Sequence, residues 1–154
     1  MMDKILTKEQ TKEKALRLLE FRSHSEKELR DKLKRAGGVG EDIDSVVEFL
    51  KNYGFLDDLK YAVRKAHDMS NLKKFGKLRI VQELKMLGIS SEYIEEAVSD
   101  IGEDEEEVLL PLVLKKLNGD FEKKSIDRTM RYFAMRGYKF DDIKRCIETA
   151  KSDI

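Results

Sequence analysis

A short skeleton recurs three times along this chain. Leu33, Gly37, Ile43, Val46 and Val47 form its first copy, Leu84, Gly88, Ile94, Ala97 and Val98 its second, and Phe133, Gly137, Ile143, Cys146 and Ile147 its third. The glycines stand 51 and then 49 residues apart (88 − 37 and 137 − 88). A near-constant period in this range is the mark of stacked helical units, each burying its apolar face against its neighbours. The spacing predicts an all-α fold of three tandem three-helix repeats, at 1–56, 57–101 and 102–154, forming one elongated, curved array.

Local chemistry supports nine helices. Thr7-Lys8-Glu9-Gln10 and Ser25-Glu26-Lys27-Glu28 have capping-box form, in which a hydroxyl and a side chain three residues on satisfy two orphan amides. The first helix is expected to run to about Arg22 and break at Ser23-His24-Ser25. The glycines at 37, 88 and 137 end helices, since glycine adopts the left-handed cap without strain. Asp57-Asp58 reads as a cap for the helix carrying Tyr61, Ala62 and Met69 inward, not as a catalytic pair. Glu103 to Glu107 reads as a solvated helix start, where carboxylates meet the positive end of the macrodipole. Pro111, within VLLPLVL, predicts a kink or a helix starting late, near residue 110.

Composition narrows the function. Charged residues make up 40% of the 154 and proline occurs once, which suits solvated helices and not a loop-rich β fold. With 31 basic and 31 acidic residues the net charge is zero, so a partner must be met by a local patch. The single cysteine, Cys146, takes a repeat position held by Val46 and Ala97 in the other copies and reads as a small buried hydrophobe. The opening residues carry no apolar signal core, and the longest apolar run is too short for a membrane span, so a cytoplasmic monomer is expected.

An enzyme is not expected. His24 and His67 fall in different repeats, neither in a metal-binding spacing, and both read as surface residues. No phosphate-cradling glycine loop is present, and no cofactor or metal is expected.

The words Arg22-Ser23-His24-Ser25-Glu26-Lys27-Glu28-Leu29, Gly54-Phe55-Leu56-Asp57-Asp58 with Tyr61-Ala62, Gly76-Lys77-Leu78-Arg79-Ile80 with Glu83-Leu84 and Gly88-Ile89, and Arg136-Gly137-Tyr138 with Ile143 follow one another in an order that resembles the RecX family, bacterial regulators of the RecA recombinase. The resemblance covers residues 15 to 147. It implies an all-α array of three-helix repeats without catalytic activity, bound in the groove of the RecA–DNA filament. It further implies inhibition of the RecA ATPase, strand exchange and coprotease functions in recombination, DNA repair and the SOS response, with DNA affinity in some members. Two departures are the glycine-rich turn Gly37-Gly38-Val39-Gly40 and Pro111.

Charge distribution locates the candidate surface. From Arg64 to Lys85 there are seven basic residues, Arg64, Lys65, Lys73, Lys74, Lys77, Arg79 and Lys85, against Asp68 and Glu83, an excess of five. The equivalent faces of successive repeats bring Arg22, and Arg131, Arg136 and Lys139 of the third repeat, into the expected set. These residues are expected to meet acidic surface of RecA protomers, DNA phosphates, or both. Phe75 and Tyr138 lie near the patch and can anchor a partner or stack on a base, although helical spacing favours the core for Phe75. Two alternatives stay open: a single-stranded DNA-binding module that competes with the recombinase, and a helical protein–protein scaffold.

Overall fold

A computed structural model describes residues 4–152. Among them are nine helices and no strand: α1 (Lys8–Phe21), α2 (Glu26–Arg35), α3 (Gly40–Asn52), α4 (Asp58–Asn71), α5 (Lys77–Met86), α6 (Ser91–Ala97), α7 (Glu105–Leu117), α8 (Lys123–Met135) and α9 (Phe140–Ser152). This is an all-α helical repeat array, as the periodicity requires. The chain divides into two compact units, Met1–Arg64 with Leu84–Ile94 and Lys65–Glu83 with Glu95–Ile154, the divisions falling inside α4, α5 and α6.

The recurring skeleton corresponds to one helix ending formed three times. After α2, the Gly38 amide donates to Leu33 O at 2.8 Å and the Gly37 amide to Lys34 O at 3.1 Å. After α5 the same pair is Ile89 to Leu84 (3.1 Å) and Gly88 to Lys85 (3.0 Å), and after α8 it is Tyr138 to Phe133 and Gly137 to Ala134, both 3.1 Å. These are the two bonds of a Schellman ending, which needs a left-handed residue after the helix. Gly37, Gly88 and Gly137 supply it with φ of 104°, 79° and 101°. The apolar residue four positions before the glycine accepts the bond that spans more of the chain and is itself core: Leu33 and Leu84 are fully buried and Phe133 nearly so.

In the first unit the core is Ala15 from α1, Leu29 and Leu33 from α2, Ile43, Val46, Val47 and Leu50 from α3, and Leu56. Both expected capping boxes are present, on Thr7 with Gln10 and on Ser25 with Glu28. Glu28 also binds Arg22 (2.9 Å) and the Tyr61 hydroxyl (2.9 Å). Burial alone would raise its carboxyl, but the donors Arg22, the Ser25 amide and Tyr61 overcome this and hold it at about 2. Asp57 caps α4 as expected, accepting from the Lys60 amide at 3.0 Å.

His24 is a correction to the expected surface histidine. It is 2% exposed, its Nδ1–H donates to Arg22 O at 2.9 Å, and its Nε2 accepts from Lys32 Nζ at 2.8 Å. The cap at Ser25 turns the chain inward one residue after it, which carries the ring under α2. Burial pushes the imidazole below its ordinary value, and the Arg22 and Lys32 charges add to that.

The core of the second unit gathers Leu109, Val113 and Leu117 from α7, Phe133 from α8, Tyr138, and Ile143, Cys146, Ile147 and Ala150 from α9. Cys146 is buried as expected, and burial followed by the nearby Glu106 and Asp142 charges pushes its thiol up to about 11, which keeps it protonated and inert. The late start expected at Pro111 does not occur: α7 begins at Glu105 and runs through it. Pro111 and Glu107 are both exposed, so the carbonyl that proline leaves without an amide faces water. The expectation that every carboxylate of 103 to 107 is solvated also fails at Glu105, which is half-buried and accepts from the Lys77 amide at 2.6 Å. Helix α6 stops at Ala97, before the end expected for the second repeat at residue 101.

Two outcomes follow. Gly137→Ala should cost well above the ~1 kcal/mol of left-handed backbone alone, because its β-carbon would meet the backbone and Cβ of Arg79, whereas Gly119→Ala, at φ 79° in open space, should cost about 1 kcal/mol; paired denaturant unfolding curves read the difference. For His24 the unfolded chain takes up a proton first as pH falls, so stability is full above about pH 6.5 and declines as pH drops from there towards the lowered folded value. Melting temperature against pH should show that decline in the wild type and a flatter profile in His24→Gln.

Candidate binding surface

The candidate surface starts where α5 begins. Its first amides have no partner within the helix, and the end of α8 provides acceptors. Gly76 N donates to Arg136 O at 2.8 Å and Leu78 N to Gly137 O at 3.1 Å, while the intervening Lys77 amide takes Glu105. The negative end of α8 thus meets the positive end of α5. Neither glycine tolerates a side chain here, since a β-carbon on Gly76 would meet the Gly137 backbone and one on Gly137 would meet Arg79.

This seam brings four of the ten sequence-selected cations together. The ring of Phe75 has Arg79 Cζ at 4.7 Å, Arg136 Cζ at 5.1 Å and Lys73 Nζ at 5.7 Å from its centroid. Cations at such distances are attracted to the ring by about 0.5–1 kcal/mol each at exposed sites. Arg79 is fixed by Glu83 (2.8 Å) and Met135 O (3.0 Å), and Arg136 donates to Lys73 O. Lys74 adopts the left-handed conformation, φ 57°, and its carbonyl accepts from the Tyr138 hydroxyl at 2.8 Å. The carbonyls of Lys73 and Lys74 are therefore held by residues of the α8–α9 turn while both ammonium groups remain exposed.

The aromatic pair resolves differently from expectation. Tyr138 is 3% exposed, edge-on to Phe133 at 6.1 Å, and unavailable to a partner. Burial, with the Glu105 charge, pushes its phenol up to about 12. Phe75 is half-buried under its cations and lies outside the core cluster.

The other selected residues take separate places. Lys77 is half-buried, its side chain against Gly102, and Arg131 and Lys139 are exposed on α8 and before α9. Arg22, Arg64 and Lys85 belong to the first unit. Arg22 there is bound to Glu28 and to Ser23 O. Lys115 and Lys116, in the last turn of α7, were not selected, although Lys116 Nζ lies 4.1 Å from the centroid of the Tyr132 ring. They stand about forty residues from the basic run, and only the fold relates them.

Among the described residues no group of three or more His, Cys, Asp or Glu side chains is placed to hold a metal ion, and no helix is long and apolar enough to cross a membrane.

Comparison with known proteins identifies the family. A family model described as the first three-helix domain of RecX matches residues 12–50, and one for the second three-helix domain matches residues 57–98. The regulatory protein RecX of Vibrio vulnificus is 34% identical over 135 residues, which is 86% of this chain and 88% of that protein. The regulatory protein RecX of Clostridium botulinum is 36% identical over 145 residues, 90% of this chain and 68% of that one. The crystal structure of RecX from Lactobacillus salivarius shares the fold with a TM-score of 0.81 at 21% identity, covering 94% of this chain and 96% of that chain. With both three-helix domains matched and such identity sustained along nearly the whole length, the chain belongs to the RecX family of regulatory proteins.

Proposed function

We propose that this protein is a non-enzymatic regulator of the RecA recombinase. It binds within the groove of the RecA–DNA filament and inhibits ATPase, strand exchange and coprotease activity. The observation that carries the reading is the convergence of Lys73, Arg79 and Arg136 on Phe75, on a molecule whose net charge is zero. A neutral protein that concentrates cations at one place is suited to a particular acidic surface and not to nucleic acid in general. Membership of a family whose relatives are named regulatory proteins supports the same reading.

The three repeats at 1–56, 57–101 and 102–154 act as one cytoplasmic, monomeric array. Arg22, Arg64, Lys77, Lys85, Arg131 and Lys139 extend the contact beyond the central group. The mechanism is steric and allosteric, without chemistry: binding across neighbouring protomers favours one filament state or obstructs addition of the next subunit. Arg79 and Arg136 are held in place before the partner arrives, so less side-chain freedom is lost when it does.

Lys73→Glu with Lys74→Asp reverses the two exposed charges, aspartate being chosen for its tolerance of left-handed backbone. Inhibition of the RecA ATPase should weaken by about tenfold or more, with helical circular dichroism and melting temperature near wild type. Full inhibition by this variant would remove the surface assignment. A labelled oligonucleotide titrated without RecA, across a salt series, should bind too weakly to account for inhibition; binding strong enough to do so would favour direct competition for single-stranded DNA.

A further inference from the structure

A second feature adjoins the cation group on the side that the sequence did not mark. The last turn of α7 and the end of α8 enclose an open cavity of about 390 Å³. Its floor is Leu112, Tyr132 and Phe133, and its rim is Lys74, Lys115, Lys116 and Arg136, with no acidic residue among the lining. That size accepts one large apolar side chain with its flanking backbone.

The floor and rim select between occupants. Single-stranded nucleic acid binds such grooves by stacking bases on free aromatic faces. Tyr132 is the one exposed ring here, and it already carries Lys116 Nζ at 4.1 Å and Arg136 Cζ at 5.3 Å from its centroid. A base would have to displace those cations. A carboxylate would not, because ammonium and guanidinium groups resting on a ring keep outward N–H donors for it. The apolar floor has no use for a phosphate and suits an aliphatic or aromatic side chain.

We propose that this cavity is a docking site for an acidic peptide segment of a partner protein. One apolar side chain sits on Leu112 and beside the Tyr132 ring, and flanking carboxylates meet the four rim cations. The inference rests on the reading that this chain acts by binding a protein, and it assigns the chemistry of the segment bound.

The test uses the full chain and a fluorescent peptide of glutamates with one central phenylalanine, read by anisotropy. An all-glutamate peptide and an oligothymidylate of equal charge are the comparisons. The phenylalanine peptide should bind about tenfold more tightly than the all-glutamate one, and Lys115→Gln with Lys116→Gln, which keeps helix propensity, should weaken it about tenfold. Equal affinity of the two peptides, or no effect of the double variant, overturns the proposal. So does tighter binding of the oligothymidylate with displacement of the peptide, or self-association that the peptide competes away. RecA ATPase inhibition by the wild-type chain is measured alongside. Inhibition without peptide binding removes the docking site and leaves the recombinase reading, and peptide binding without inhibition does the reverse.

Discussion

The structure depends on the seating of one helix start against the glycine turn that ends another. At Gly37 the arriving backbone is Lys4 to Leu6, with the Leu6 amide on Gly37 O at 2.9 Å. At Gly88 it is the start of α2, with Ser25 Oγ on Leu87 O at 2.7 Å and the Lys27 side chain against the glycine. At Gly137 it is the start of α5. At the third junction the orphan amides at the start of α5 meet the carbonyl side of a helix ending, so two sets of orphan groups disappear together, while at the other two the donor is the Leu6 amide ahead of α1 and the Ser25 hydroxyl. Glycine is required twice over at these points, for its left-handed backbone and for the missing β-carbon. That double requirement is why the period shows in glycine even where most of the surrounding polar residues differ.

Much of this was legible in the sequence because it is local. Capping boxes, the αL glycines, the inward faces and the buried cysteine all follow from residues within a turn or two of one another. What escaped was tertiary. His24 lies in a turn rich in polar residues, and nothing within reach along the chain foretells that Lys32 covers it. Tyr138 looked accessible beside Arg136 and Lys139, yet it occupies the position that Ile89 fills in the preceding copy and is core for the same reason. The late start expected at Pro111 came from propensity, which ignores which side of the helix faces water. The basic cluster was found in part: the run at 73–79 is contiguous, but Lys115 and Lys116 join it only through packing of α7 on α8.

Within that cluster the cations differ in kind. Arg79 and Arg136 are held by carbonyls and a carboxylate and lie against aromatic rings, so their positions are set. Lys73 and Lys74 have fixed backbones and exposed side chains, the Lys73 ammonium lying loosely over the Phe75 ring. A planar fork in a set position reads geometry, whereas a point charge on a flexible stem follows whatever charge is near. The surface therefore combines a rigid centre with an adaptable margin.

The amides at the start of α5 have a further consequence. Glu105, Arg136 and Gly137 already occupy them, so this helix terminus offers no ready cradle of backbone donors to an incoming anion. Recognition falls to side chains alone. On the proposed reading, the two set guanidiniums would sense the placement of a partner's acidic groups while the exposed lysines follow its charge density, a division that leaves room for small shifts of register along a repetitive ligand.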